Sequence, residues 1–193
     1  MKVVPDAGRA LPLLLLPLIA GCLTSRVPEV SSRNLEYSGE RRAPAADARF
    51  GLARVSQIAV RAPYSSTSLV VLRANGTVAF DPYNEFAAGV VPLLKGVVFD
   101  AVEGSGRFKA VVEATSSASA ASLVEVTVSR LALDCRTEGS RRAVAELLMR
   151  VVDGRAIVAS ANGSGEADAA DGNYGAAFSR AVSQALSEAA GRL

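Results

Sequence analysis

The two cysteines are the residues of this 193-residue chain best suited to covalent chemistry. Cys135 lies in LALDCRTEG, where Arg136 would lower the thiol pKa and Asp134 would oppose that shift. A cysteine nucleophile also needs a base, and the chain contains no histidine. We therefore expect no enzyme, no cofactor and no metal site, and we interpret Cys135 as a small apolar side chain at a strand end.

Cys22 is suited to a different reaction, acylation. It ends the run LPLLLLPLIAGC, which is shorter than the roughly 20 residues that a membrane span needs. The charged start at Lys2 and Arg9, the short apolar stretch and the small residues before Cys22 predict a signal peptide over residues 1–21. An exported chain with one further cysteine has no disulfide framework.

The C-terminal end of the signal peptide indicates a specific kind of processing. Ile19-Ala20-Gly21-Cys22 resembles the bacterial lipobox, in which the cysteine receives acyl groups such as palmitate and begins the mature chain. Cys22 is then a lipidation site that anchors the protein in a membrane. Leu23, rather than an aspartate, favours the outer membrane, facing the periplasm, over the inner membrane. The alternative is an ordinary cleaved signal followed by a chance cysteine.

The mature part predicts one domain on a tether. Removing residues 1–21 leaves 172 residues with a formal charge of +1, so no nucleic-acid partner is indicated. Residues 22–50 are polar and lack a sustained period, which predicts a flexible tether with an end-to-end distance of about 30 Å. A short strand at 34–38 is an alternative within it. Residues 51–193 form the single domain.

Two hairpin signals stand out in this domain. Asn75-Gly76 predicts a type I′ turn between strands at 68–73 and 77–80, and Asp153-Gly154 predicts a second hairpin. A change of apolar parity predicts a bulge near Ser129-Arg130. The remaining strands are predicted at 55–61, 108–113, 143–152 and 155–160, with a strand from 123 to 135 and a separate turn at 83–88.

Two amphipathic helices complete the pattern. The first is predicted from about Val91 to the residues before Gly104, with a stripe of buried aliphatic residues. The second carries Phe178 and its apolar neighbours, with Asn173 as cap and Gly191 as end. Because the strands read as hairpins, we expect an α+β fold, a two-layer sandwich of an antiparallel β-sheet with two amphipathic helices packed on one face.

The mature chain also resembles a known family. The matching features begin with the lipobox and a tyrosine in the tether, in NLEY at 34–37. They continue with a strand that contains VRAP at 60–63, the sequence DPYNEF at 81–86, and a helix that ends at SGRFKAVV, residues 105–112. Together they resemble the ABC-type transport auxiliary lipoproteins. These accompany ABC transporters with MCE-domain proteins and are implicated in moving lipids between the two membranes.

The resemblance implies a function and a contact site. It implies a non-enzymatic, membrane-anchored auxiliary lipoprotein, with an ABC transporter or MCE-domain protein as partner and phospholipid as a further candidate. Tyr83 and Phe86 are the candidate partner-binding residues, with core packing as the alternative. The family usually has a tryptophan where this chain has Phe86, followed closely by proline, whereas here Pro92 comes six residues later. The competing functional hypothesis is a structural or assembly lipoprotein of another outer-membrane machine.

Overall fold

The computed structural model describes residues 29–43 and 48–193. The predicted signal peptide and Cys22 lie outside these ranges. The described residues form eight strands and two helices. In chain order these are β1 Ser31–Arg33, β2 Phe50–Val60, β3 Ser68–Arg73, β4 Val78–Phe86, α1 Val90–Glu103, β5 Phe108–Val112, β6 Ser122–Cys135, β7 Arg142–Asp153, β8 Ala156–Asp168 and α2 Tyr174–Arg192.

The strands form one mixed sheet, so the predicted two-layer sandwich with an antiparallel sheet is wrong. Four neighbouring pairs are parallel, namely β1 with β4, β2 with β5, β2 with β6, and β3 with β6. Three are antiparallel, namely β3 with β4, β6 with β7, and β7 with β8. The turn signals reveal only hairpins, whereas parallel pairs come from longer connections that leave no local mark in the sequence.

Strand β6 organises this sheet. One edge pairs with β7 along nearly its whole length, and the other edge is shared by β2 and then β3. The register shifts between Val128 and Arg130, which confirms the predicted bulge. It lies where β2 ends opposite Val128 and before β3 begins opposite Leu133. The bulge therefore reorients β6 at the point where its neighbour changes.

Both helices pack into the main hydrophobic core and contact each other. The predicted stripe of α1 is buried, at Val90, Leu94, Val97, Val98, Ala101 and Val102. The Asn173 side chain caps α2 by accepting a hydrogen bond from the backbone N–H of Ala176 at 3.3 Å, as predicted. Helix α2 continues through Arg192, so Gly191 does not end it.

Several predicted boundaries differ from the structure. Strand β4 runs through the predicted turn at 83–88 as far as Phe86, and β8 extends to Asp168. The first hairpin is not type I′, because Gly76 has φ +78° but no residue other than glycine has positive φ in the described part of the chain. The Gly76 N–H bonds to the Arg73 carbonyl at 2.9 Å, which fits a type I turn followed by a glycine bulge.

Helix α2 approaches β8 very closely at two glycines. A Cβ atom at Gly163 would collide with the carbonyl oxygen of Ala185, and one at Gly165 with that of Ala181. The obstacle is backbone in both places, so no side chain can move aside. The two glycines therefore set the distance between helix and sheet.

Side chains of α2 also satisfy the free edge of β8. The backbone N–H of Ser164 donates to Glu188 Oε2 at 2.7 Å, and that of Glu166 donates to Gln184 Oε1 at 3.2 Å. An exposed strand edge would otherwise offer unpaired N–H groups to other chains. Helix α2 thus closes this edge of the sheet.

On its other side α2 binds the N-terminal segment. The backbone N–H groups of Glu36 and Ser38 donate to the hydroxyls of Ser179 and Ser183, at 3.0 and 2.8 Å, and Leu35 is buried in the core. Residues 29–43, predicted as part of a tether, are therefore bound to the domain. The strand found here is β1 at 31–33, and residues 34–38 lie along α2 instead of forming the strand considered at that position.

We predict that Gly165→Ala destabilises the protein by about 1–3 kcal/mol, because the added Cβ must push α2 away from β8. The measurement is urea unfolding followed by circular dichroism. The matched control is Gly51→Ala in β2, where an added Cβ meets nothing within 4 Å. That control should keep or gain stability, by up to roughly 1 kcal/mol, since glycine is unfavourable within strands. Equal losses in both variants would contradict this account of the helix–sheet contact.

We predict a pH-dependent loss on Glu188→Gln. The Ser164 backbone N–H and hydroxyl, and to a lesser degree Arg192, hold the pKa of Glu188 below its ordinary value of 4.5. A lowered folded-state pKa stabilises the protein above the unfolded-state pKa, and this contribution disappears as pH falls through the folded-state value. The variant should be less stable than the wild type at pH 7 and converge with it below pH 4.5. Urea midpoints across this range measure the difference.

The matched control for that series is Glu138→Gln, at an exposed position in the loop between β6 and β7. Its urea midpoint should equal that of the wild type at every pH. A Glu188→Gln deficit that stays constant between pH 7 and pH 3 would show that the carboxylate charge does not stabilise the β8 edge.

Candidate interaction surface

The structure separates the predicted contact residues. Phe86 is 3 % exposed and packs edge to face against Phe178 of α2, with ring centroids 5.4 Å apart. Tyr83 is 52 % exposed. In this structure the Phe86 side chain is therefore too buried to contact a second molecule, whereas the Tyr83 side chain is exposed enough to do so.

Tyr83 lies in a large bulge of β4 and its side chain is exposed. Phe80 pairs with Val70 and Glu85 with Ser68, so β4 advances five residues while β3 advances two. The Asp81 carboxylate accepts hydrogen bonds from the backbone N–H groups of Tyr83 and Asn84, at 2.8 and 3.0 Å. Its second oxygen accepts the Asn84 side-chain amide at 3.2 Å. These bonds fix the bulge and leave the Tyr83 side chain exposed.

Tyr83 is one of four exposed apolar residues that lie on β4 or beside it. Val30, Val78, Phe80 and Tyr83, which we call the β4 patch, are between 49 % and 54 % exposed. Val30 directly precedes β1, whose Ser31 pairs with Asn84, so Val30 lies at the level of Tyr83. Sequence analysis missed the other three members, although the alternation of Val78 and Phe80 after a turn was a usable signal.

The patch continues into a small buried cluster on the sheet. Phe80 lies opposite Val70, which packs with Ala132 and Val144 under the partly buried Tyr64. These three residues are 6 % exposed or less. Phe80 is thus the exposed end of an apolar row, and a second molecule that covers it would extend an existing cluster.

A separate groove lies beside α1. It encloses about 370 Å³ between α1, the β2 residues around Ser56, where the register with β6 shifts, and the chain after β5. Val91 and Phe99 contribute apolar surface to it, and Lys95 and Glu113 line it as well. None of the predicted contact residues lines this groove.

The surroundings of Cys135 raise the pKa of its thiol, although the charge of Arg141 acts in the opposite direction. Burial is the main factor that raises the pKa of the Cys135 thiol. Arg136, which could have lowered it, instead forms an ion pair with Asp134 at 2.6 Å and lowers the pKa of that carboxyl. Within the described ranges no group of three or more potential ligands could hold a metal ion.

No helix in residues 29–43 and 48–193 is both long and apolar enough to cross a bilayer.

Comparisons with known proteins identify similar folds and do not identify a function. No family model matches the chain, and no curated protein matches it significantly. The crystal structure of XCC0632 from Xanthomonas campestris, described by the family model DUF330, is similar with a TM-score of 0.62 at 19 % identity. The match covers 80 % of this chain and 91 % of that one. At this identity the likeness shows a shared fold alone.

Two further structures are similar over comparable lengths. An uncharacterised protein matches with a TM-score of 0.55 at 13 % identity, over 81 % of this chain and 93 % of its own. A PelC dodecamer from Paraburkholderia phytofirmans matches with a TM-score of only 0.44 at 18 % identity, over 78 % and 94 % of the two chains. That last similarity is too low to support an argument about this protein.

We predict that Asp81→Ala releases the bulge of β4 and destabilises the protein by about 1 kcal/mol, because two backbone N–H groups lose their acceptor. Hydrogen exchange at the Tyr83 and Asn84 amides should become faster. The matched control is Asp81→Asn, which keeps the oxygen that accepts both amides and loses only the bond to the Asn84 side chain. Equal exchange rates in the wild type and Asp81→Ala would show that the carboxylate does not hold Tyr83 in place.

Proposed function

We propose that this protein is a non-enzymatic, membrane-anchored auxiliary lipoprotein of an ABC/MCE-type transport system, which assists lipid movement between the membranes of a bacterial envelope. The proposal rests on the lipobox at Cys22 and on the family resemblance of the mature chain. In it, acyl groups on Cys22 hold the protein on the outer membrane, facing the periplasm. The domain then docks a transport component.

The structural observation that carries the proposal is the position of the DPYNEF motif, one of the features of the resemblance. Asp81 holds its bulge, Phe86 fixes it in the core, and Asn84 accepts a hydrogen bond from Arg33 of β1 at 3.1 Å. Strand β1 is the strand nearest to Cys22 in the sequence. The motif therefore joins the segment that leads to the proposed anchor with the body of the domain.

The test is affinity capture of the full protein through a C-terminal tag after extraction of membranes in mild detergent. We expect co-purification of an ABC transporter subunit or an MCE-domain protein, identified by mass spectrometry. Recovery of another outer-membrane assembly without any transport component would contradict the proposal and favour the assembly-lipoprotein hypothesis.

A Cys22→Ala variant is the matched control for the anchor. We expect it to lack acyl groups and to accumulate as uncleaved precursor or as protein released from the membrane fraction. The mass of the mature wild-type N-terminus provides the direct measurement. An unmodified N-terminal residue would remove the anchor from the proposal.

A further inference from the structure

The β4 patch is unusual within the described chain. The other large apolar side chains with comparable exposure are Ile157 and Val158 on β8. The patch combines two aliphatic side chains with two aromatic ones, and the bulge stabilised by Asp81 fixes one of these, Tyr83, in an outward position. The Asp81 bonds order the backbone at Tyr83, which reduces the backbone entropy lost when this residue is covered.

The length of the chain between anchor and patch limits where the patch can point. Val30 follows Cys22 by eight residues, which span at most about 29 Å when fully extended. A flexible chain of that length has an end-to-end distance of roughly 16 Å. A domain of about 165 residues has a radius of gyration of roughly 15 Å, so it is wider than this distance. Because residues 31–38 are bound to β4 and α2, the remainder of the predicted tether adds no reach.

We infer that the β4 patch is the face of the domain that contacts the phospholipid bilayer. The inference rests on the proposed acylation of Cys22. The aliphatic side chains and Phe80 enter the boundary between headgroups and acyl chains, and the Tyr83 ring lies there with its hydroxyl toward water, as tyrosines do at membrane interfaces. The surface that binds a protein partner then lies elsewhere on the domain.

The choice of a bilayer over a protein partner follows from the tether. A surface linked to the membrane by so few residues experiences a high effective concentration of lipid, so even a weak patch is occupied. Ile157 and Val158 serve as the internal comparison, because they are equally exposed but lie on β8, far from β1 in the order of the sheet.

The chain contains no tryptophan, which makes a direct test possible. The test uses Tyr83→Trp in the full acylated protein, reconstituted in phosphatidylethanolamine and phosphatidylglycerol vesicles with or without brominated acyl chains. We expect the emission to shift to shorter wavelength on reconstitution and to lose intensity in the brominated vesicles. The matched control is Ile157→Trp, whose emission should change in neither respect.

Every other outcome contradicts the inference, and each indicates a different cause. Unchanged emission of Tyr83→Trp in protein whose acylation is verified by mass would show that the anchor exists and the patch faces water. A blue shift without quenching by brominated lipid would assign the patch to contact with protein, including a second copy of the chain. Equal quenching at both positions would show nonspecific adsorption. An unacylated mature protein would remove the anchor and the inference together.

Discussion

The structure depends on one helix that supplies the hydrogen-bond acceptors a neighbouring strand would otherwise supply. Four residues of α-helix advance about 6 Å, and two residues of strand advance nearly 7 Å. An acceptor on each turn of α2 therefore meets every second backbone N–H of an extended chain beside it. Gln184 and Glu188 serve β8 in this way, and Ser179 and Ser183 serve the N-terminal segment.

This arrangement explains features that are otherwise unfavourable. Glycines weaken strands, yet Gly163 and Gly165 lie in β8, because the backbone of α2 occupies the space a side chain would need. Ser183 is 2 % exposed on a core-facing helix, yet its hydroxyl is used by the Ser38 N–H. Through the same contacts α2 fixes the chain between β1 and the core. The path of the chain toward the proposed anchor is thus a consequence of how the sheet edge is closed.

The sequence predicted local structure better than topology. The α1 stripe, the cap of α2 and the bulge near Arg130 each depend on residues close together in sequence, and all were predicted correctly. The mixed sheet was missed because parallel pairing depends on contacts between distant segments. The extension of β8 was missed since its glycines interrupt the apolar pattern, and their reason is a helix that follows later in the chain. The binding of residues 29–43 to α2 was missed because polar backbone contacts with serines have no hydrophobic period.

The candidate site shows how one short motif can combine two roles. Tyr83 and Phe86 are three residues apart, so an extended strand directs them to opposite sides, and Tyr83 lies within the bulge of β4. A turn prediction over 83–88 could not show this, because it treats both aromatics as neighbours on one surface. The aromatic at position 86 packs against Phe178, for which the ring matters and an indole N–H is not required. Phe86 therefore has a packing role in the core, and Tyr83 is the aromatic side chain of this motif that remains exposed.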